Sequence, residues 1–247
     1  MNLDLLVDLH KHGKRQGPGC DEQTRKAIEV SGLLKRSEKL HIADIGCGTG
    51  ASTLVLAKTL DAEITAVDLF TAFLSRLTSE AKDLGHQITT LACAMNDLPF
   101  TTNSLDCIWS EGAIYNMGFE NGITYLKHFL KPKGILAVSE ITWFTAQRPA
   151  DLMIHWKNQY PEIGLASDKI RILEMHGFMI KGYFPLPSAC WWDNYYDPIS
   201  QRFDGFLTRH NHSKDAHLIV DSEIHEMNLY RQHHKHYGYG FYVAEKV

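Results

Sequence analysis

A chain of 247 residues with 44% hydrophobic content is long enough for one well-buried core, and α/β domains of this size commonly stand alone. A formal net charge of -4 excludes a constitutive nucleic-acid surface, which needs a clustered excess of Lys and Arg. The opening "MNLDLLVDLHKHGKRQGPG" lacks the basic-then-apolar order of a signal peptide, and no apolar run approaches bilayer-spanning length. Five scattered cysteines, none in a CxxC arrangement, read as reduced thiols, so the expectation is a cytoplasmic protein.

In chain order, short apolar runs alternate with helical patterns. "HIADIG" and "EITAVDL" read as strands, with the helical stretch "ASTLVLAKTLDA" between them. In "FTAFLSRLTSEAKDLG", Phe70, Phe73, Leu74, Leu77, Ala81 and Leu84 share one helix face, and Gly85 stops it. "QITTLAC" and "LDCIWS" read as further strands. A turn at Lys131–Gly134 precedes the buried strand "ILAVSEI", and "FMIKGYF" and "GYGFYVAEKV" are strand-like. Strands alternating with helices imply parallel pairing with right-handed crossovers, hence a doubly wound α/β sheet with helices on both faces. Two aromatic-rich segments, about 142–164 and 188–236, interrupt the rhythm where open α/β proteins build ligand covers.

The loop "HIADIGCGTGAST" decides the chemistry. It lacks the Gly-Lys-Ser/Thr ending of a P-loop. The dinucleotide pattern G-x-G-x-x-G/A is formally met by Gly46, Gly48 and Ala51, which keeps a nicotinamide-dependent oxidoreductase as an alternative. The fuller pattern is D-x-G-x-G-x-G, from Asp44 through Gly46, Gly48 and Gly50. A carboxylate there opposes a pyrophosphate and suits a cationic ligand. Asp68, ending the next strand, suits ribose hydroxyls. An ammonium-bearing, sulfonium-bearing nucleoside fits both acids, which points to S-adenosyl-L-methionine.

With "ADIGCGTG", "AVDLF", "LPF", "LDCIWSEGAIYNMGFE" and the "LKPKG" turn in order, the chain resembles class I S-adenosylmethionine-dependent methyltransferases, and more narrowly the bacterial small-molecule enzymes related to ubiquinone/menaquinone-biosynthesis methyltransferases. The resemblance covers most of the chain. It implies a Rossmann-like sheet of seven strands, mostly parallel with the last antiparallel, in a single domain spanning 1–247 with an N-terminal helical cover over about 1–36. It implies that Gly46, Gly48, Gly50 and Thr53 lie against the cofactor, with Asp44 near its ammonium, Asp68 on the ribose and Leu69 beside the adenine. The family's adenine-contacting acid is replaced here by Ala94, leaving Met95 and Asn96 to serve. Ser110 and Glu111 should border the methionyl group and the acceptor, and Gln16 belongs to "KRQGPG", matching the family's cover or forming a plain turn.

Methyl transfer needs alignment and desolvation more than a dedicated catalyst, and positioning alone can supply roughly 7–11 kcal/mol. Candidate catalysts are Glu111, as base or orienting group, and Tyr115. Trp143, Trp191 and Trp192 are candidate walls for a planar small-molecule acceptor, although most aromatics of their segments are expected to fill an elaborated core instead. Three further readings stay open. Glu111 and Glu120 could grip a guanidinium in a protein or guanidino N-methyltransferase, His233 and His236 could share a helix face with a metal although no metal is expected, and the chain could bind cofactor without catalysis. Monomer and homodimer are equally compatible with the sequence.

Overall fold

The computed structural model describes residues 2–247; Met1, the first residue of the expected cover, lies outside them. Among the described residues eight strands occur in chain order: β1 Leu40–Ile45, β2 Ala62–Asp68, β3 Ile88–Ala92, β4 Leu105–Glu111, β5 Leu130–Trp143, β6 Gly164–Leu165, β7 Phe178–Pro185 and β8 Tyr237–Lys246. Seven lie along one path, β3-β2-β1-β4-β5-β8-β7. All of its pairings are parallel except those of β8, which runs against both β5 and β7. This is the Rossmann-like architecture the sequence predicts. The addition is β6, two residues that pair with Thr142 and Trp143 because β5 runs on to Trp143 and offers its edge there.

Alternation along each strand splits the core into two layers. Ile42, Trp109, Ala137 and Phe241 belong to one apolar cluster, and their chain neighbours Ala43, Ile108, Val138 and Tyr242 to the other. That is the period-2 geometry of a strand buried on both faces. Each fully buried large apolar side chain contributes about 1.5–3 kcal/mol. The first layer is covered by α2 (Asp21–Ser31), α3 (Ala51–Thr59) and the later helices, and the second by α5 (Phe119–Lys127) and α7 (Ala166–Met175). The helix predicted from the Phe70–Leu84 face is α4 (Thr71–Asp83), stopped by Gly85 at φ +75.

Ahead of β1, α1 (Leu3–His10) and α2 flank the "KRQGPG" segment. The 142–164 stretch holds α6 (Ala150–Gln159). The 188–236 stretch is helical: α8 (Ala189–Trp191), a π-helical turn at Trp192–Tyr196, α9 (Asp197–Ser200), α10 (Phe203–Arg209) and α11 (Lys214–His233). Strand order turns back between β1 and β4, which opens a crevice at their carboxyl ends. No helix among the described residues is long and apolar enough to cross a membrane.

Candidate active-site cleft

The crevice is a cleft of about 970 Å³ bounded by the glycine loop, the N-terminal segment, the end of β4 and α11. Gly46, Gly48 and Gly50 all hold positive φ, at +71, +56 and +88. A Cβ at Gly46 would collide with Ala113, and one at Gly48 with Gln16, so only glycine lets the backbone approach this closely. Gly50 has a different task. Its missing Cβ admits Leu77 of α4, and it does not line the cleft.

Asp68 stands at the carboxyl end of β2. Its Oδ2 accepts the Gly48 N–H at 2.9 Å and its Oδ1 accepts the Phe70 N–H at 2.9 Å. Each oxygen retains a second lone pair for a ribose hydroxyl. Burial raises its pKa, against the opposing pull of those backbone donors. Leu69, Met95 and Asn96 line the same part of the cleft, and Leu69 is 58% exposed, an uncovered apolar surface suited to a flat base. Ala94 lines it too, with no acid in the expected place.

Besides Gly50, three predicted contacts lie outside the lining. Asp44 is wholly buried, with its Oδ2 accepting the Ser52 and Thr53 hydroxyls at 2.8 and 2.7 Å. Thr53 thus turns to Asp44, and Ser110 is likewise fully buried. Burial pushes the Asp44 carboxyl up to about 7. Its Oδ1 is buried and without a partner. Asp44 thus stands behind the lining of the cleft, with Ser52 and Thr53 over its strand end.

Glu111 is held rather than free. Its Oε2 receives Arg15 Nη1 at 2.9 Å, and its Oε1 receives Thr24 Oγ1 at 2.7 Å and Trp109 Nε1 at 2.9 Å. Arg15 also reaches Asp21 at 3.2 Å. Gln16 Oε1 accepts the Thr49 N–H at 2.9 Å, while its amide nitrogen donates to Thr49 Oγ1 at 3.0 Å. The N-terminal segment is thereby strapped to both the glycine loop and the end of β4. A carboxylate with three donors on it is poorly placed to collect a proton, so the free-base role expected of Glu111 gives way to an anchoring one.

At the far end of the cleft the sequence named Tyr115 and missed its neighbours. Tyr115 lines it, 44% exposed, as do His10, Tyr195, Glu223, Glu226 and Tyr239. Tyr195 donates to Glu223 at 3.1 Å and Tyr196 to Glu226 at 2.9 Å. Glu223 and Glu226 stand one turn apart on α11, a spacing that could have flagged them as one face. Burial, and then Glu223, push Glu226 up to about 7.

The tryptophans go elsewhere. Trp191 is buried and stacked on Tyr230 at 4.2 Å, Trp192 lies under the Arg231 guanidinium, and Trp143 lines a separate surface hollow beneath Arg148. None lines the cleft, because the helical insertion needs these large rings for its own core. Glu120 bonds His176 at 2.7 Å and does not line the cleft, which removes the guanidinium pair with Glu111. His233 bonds the Asp151 carboxylate at 3.0 Å, and among the described residues no three potential ligands converge on a metal position.

Comparison with known proteins agrees with this geometry. Residues 42–134 match a family profile described as a methyltransferase domain. The chain is 29% identical over 134 residues to a glycine/sarcosine/dimethylglycine N-methyltransferase of Actinopolyspora halophila, covering 53% of this chain and 23% of that one. It spans 55–60% of the length of three matched O-methyltransferases. A methyltransferase of Geobacter sulfurreducens, solved with S-adenosyl-L-homocysteine, superposes with a TM-score of 0.83 at 16% identity, covering 99% of this chain and 98% of that one. The cyclase SpnF superposes at 0.76 with 19% identity, covering 99% and 92%. A shared fold thus hosts different reactions. The glycine loop and the sheet order agree with the methyltransferase-domain match over residues 42–134, and the superpositions show the same Rossmann-like fold.

Proposed function

We propose that the protein transfers a methyl group from S-adenosylmethionine to a small-molecule acceptor. One observation carries the reading: a glycine loop and a ribose-ready carboxylate form one end of a cleft that continues past them into a second, differently lined space. When bound, the cofactor would supply an electrophilic methyl on a sulfonium. Gly46 and Gly48 would hold its backbone-facing side, Asp68 its ribose, and Leu69 and Met95 its adenine, while Asn96 offers the polar contact that Ala94 does not. Gln16 and the Arg15–Glu111 pair would keep the cover closed and exclude water.

Asp44, Gly50, Thr53 and Ser110 act from behind, fixing the loop and the strand ends. Tyr115 meets the acceptor. We further take the chain to work as a single domain in the cytoplasm, its N-terminal segment serving as the cover.

Calorimetric titration tests the cofactor. Micromolar binding of S-adenosylhomocysteine with none of NADH is the expected result, and the reverse preference would replace this reading with a nicotinamide enzyme. Transfer of a labelled methyl group to a member of an acceptor library is the accompanying test of catalysis. Tight S-adenosylhomocysteine binding without any product would leave a cofactor-binding protein.

A further inference from the structure

We propose that the acceptor is an organic amine, bound as its cation between the carboxylates of Glu223 and Glu226 and the tyrosines Tyr115, Tyr195 and Tyr239; one ammonium proton would pass to a glutamate carboxylate, and the freed nitrogen lone pair would form the N–C bond to the methyl as the donor's S–C bond breaks, leaving S-adenosylhomocysteine. The inference rests on the methyltransferase reading and deepens it. Its starting point is the charge left over in the cleft. The basic side chains that line it are Arg15 and His10. Arg15 is committed to Glu111 and Asp21. Asp68 is occupied by backbone donors at the loop end. Glu223 and Glu226 remain, each with one tyrosine hydroxyl as hydrogen-bond donor. Arg202 lies within electrostatic reach of Glu223, but its guanidinium bonds the Leu9 and Pro198 carbonyls and does not line the cleft.

His10 supplies an independent pointer. It is 6% exposed, lines the cleft, and its Nδ1 is buried without a hydrogen-bond partner. Its Nε2 faces Glu223 Oε1 at 3.6 Å, which favours the proton on that nitrogen. Nδ1 is then an acceptor lacking a donor, and an ammonium N–H provides one. The ring stacks on Tyr195 at 6.1 Å and 17°, so the two form one wall.

The tyrosine faces add attraction for a cation. Among the described residues, an anionic acceptor would meet two carboxylates with no free guanidinium or ammonium lining the cleft, and a neutral one would leave them uncompensated. Location matters as well. A Cβ on Gly112 would sit 2.8 Å from the Tyr239 ring, and the next residue, Ala113, packs on Gly46. The tyrosine–glutamate end is therefore continuous with the glycine loop, where the methyl donor is proposed to lie.

The test uses full-length protein saturated with S-adenosylhomocysteine and three probes of similar shape: 2-phenylethylamine, 2-phenylethanol and phenylacetate. Calorimetry is expected to show the amine binding at least tenfold tighter than the alcohol, with phenylacetate weakest. Glu226→Gln and Glu223→Gln should each reduce that preference to threefold or less, and Glu226→Asp should retain most of it. Retained S-adenosylhomocysteine binding reports that each variant is folded. Equal or tighter binding of the alcohol or the acid, or no binding of any probe at millimolar concentration, overturns the amine assignment and leaves the cofactor reading standing. Failure of wild-type protein to bind S-adenosylhomocysteine strikes the cofactor reading itself.

Discussion

The loop end of the cleft takes Gly46, Gly48 and Asp68 from one short stretch of chain and presents mostly backbone. The opposite end takes His10, Tyr115, Tyr195, Glu223 and Tyr239 from almost the full length of the sequence. The difference follows from what each must do. Close approach to a ligand along a strand–turn–helix is a local property, fixed by φ angles that neighbouring residues set. A shaped pocket for a variable acceptor needs several directions at once, which only separate segments can supply.

The sharpest way to break this contrast is Gly46→Ala. The new methyl meets Ala113, and the backbone holds φ +71, a conformation that costs a side-chain-bearing residue about 1–3 kcal/mol. We expect S-adenosylhomocysteine affinity to fall a hundredfold or more by calorimetry. A loss under threefold would show that the loop does not touch the cofactor.

Next in size is Arg15→Ala. The Arg15 and Glu111 side chains are 7% and 9% exposed, so removing one leaves a buried, uncompensated charge and should cost about 3 kcal/mol in urea unfolding. Glu111→Gln should cost less, because its carbonyl oxygen can still accept from Arg15 and the Thr24 hydroxyl can turn to accept from the amide, leaving only Trp109 Nε1 without an acceptor. Turnover by Glu111→Gln that falls far more than its stability would return Glu111 to the catalytic role first read for it.

Asp44 gives a pH signature. Its folded pKa of about 7 lies above the ordinary value of 3.8, so the native state keeps a proton that the unfolded chain has released. The associated stability is complete below the unfolded value and is lost as pH rises through about 7. Between pH 5 and pH 8 this group should remove about 2 kcal/mol, and Asp44→Asn should flatten that part of the profile. An unchanged difference between wild type and variant across this range would mean that Asp44 ionises normally.

The smallest expected effect is that of Gln16→Ala. It frees the Thr49 N–H and hydroxyl at the cover, so stability should drop by about 1 kcal/mol and S-adenosylhomocysteine should bind three- to tenfold more weakly. Faster hydrogen exchange in residues 13–19 should accompany it.

The sequence was most legible where periodicity and local backbone demands coincide. The α4 face from Phe73 to Ala81, the strand ends at Ile45 and Asp68, and Gly85 as a stop are all found where the pattern puts them. It left alternatives open where chemistry was assigned by residue type. Trp143, Trp191 and Trp192 look like ligand walls, yet a large ring is equally the most effective core filler, and packing decides between the two. Glu111 looks like a free acid until Arg15, Thr24 and Trp109 are seen around it.

By itself the sequence determined the glycine pattern of the loop, the alternation of strands and helices and the placing of Asp68 at a strand end, because each depends on residues close together in the chain. Only the tertiary structure decided that Asp44 is sealed, that the N-terminal segment is tied down, and that α11 brings two glutamates to the cleft. Those facts depend on which distant surfaces exclude water from one another, and no local pattern carries that information.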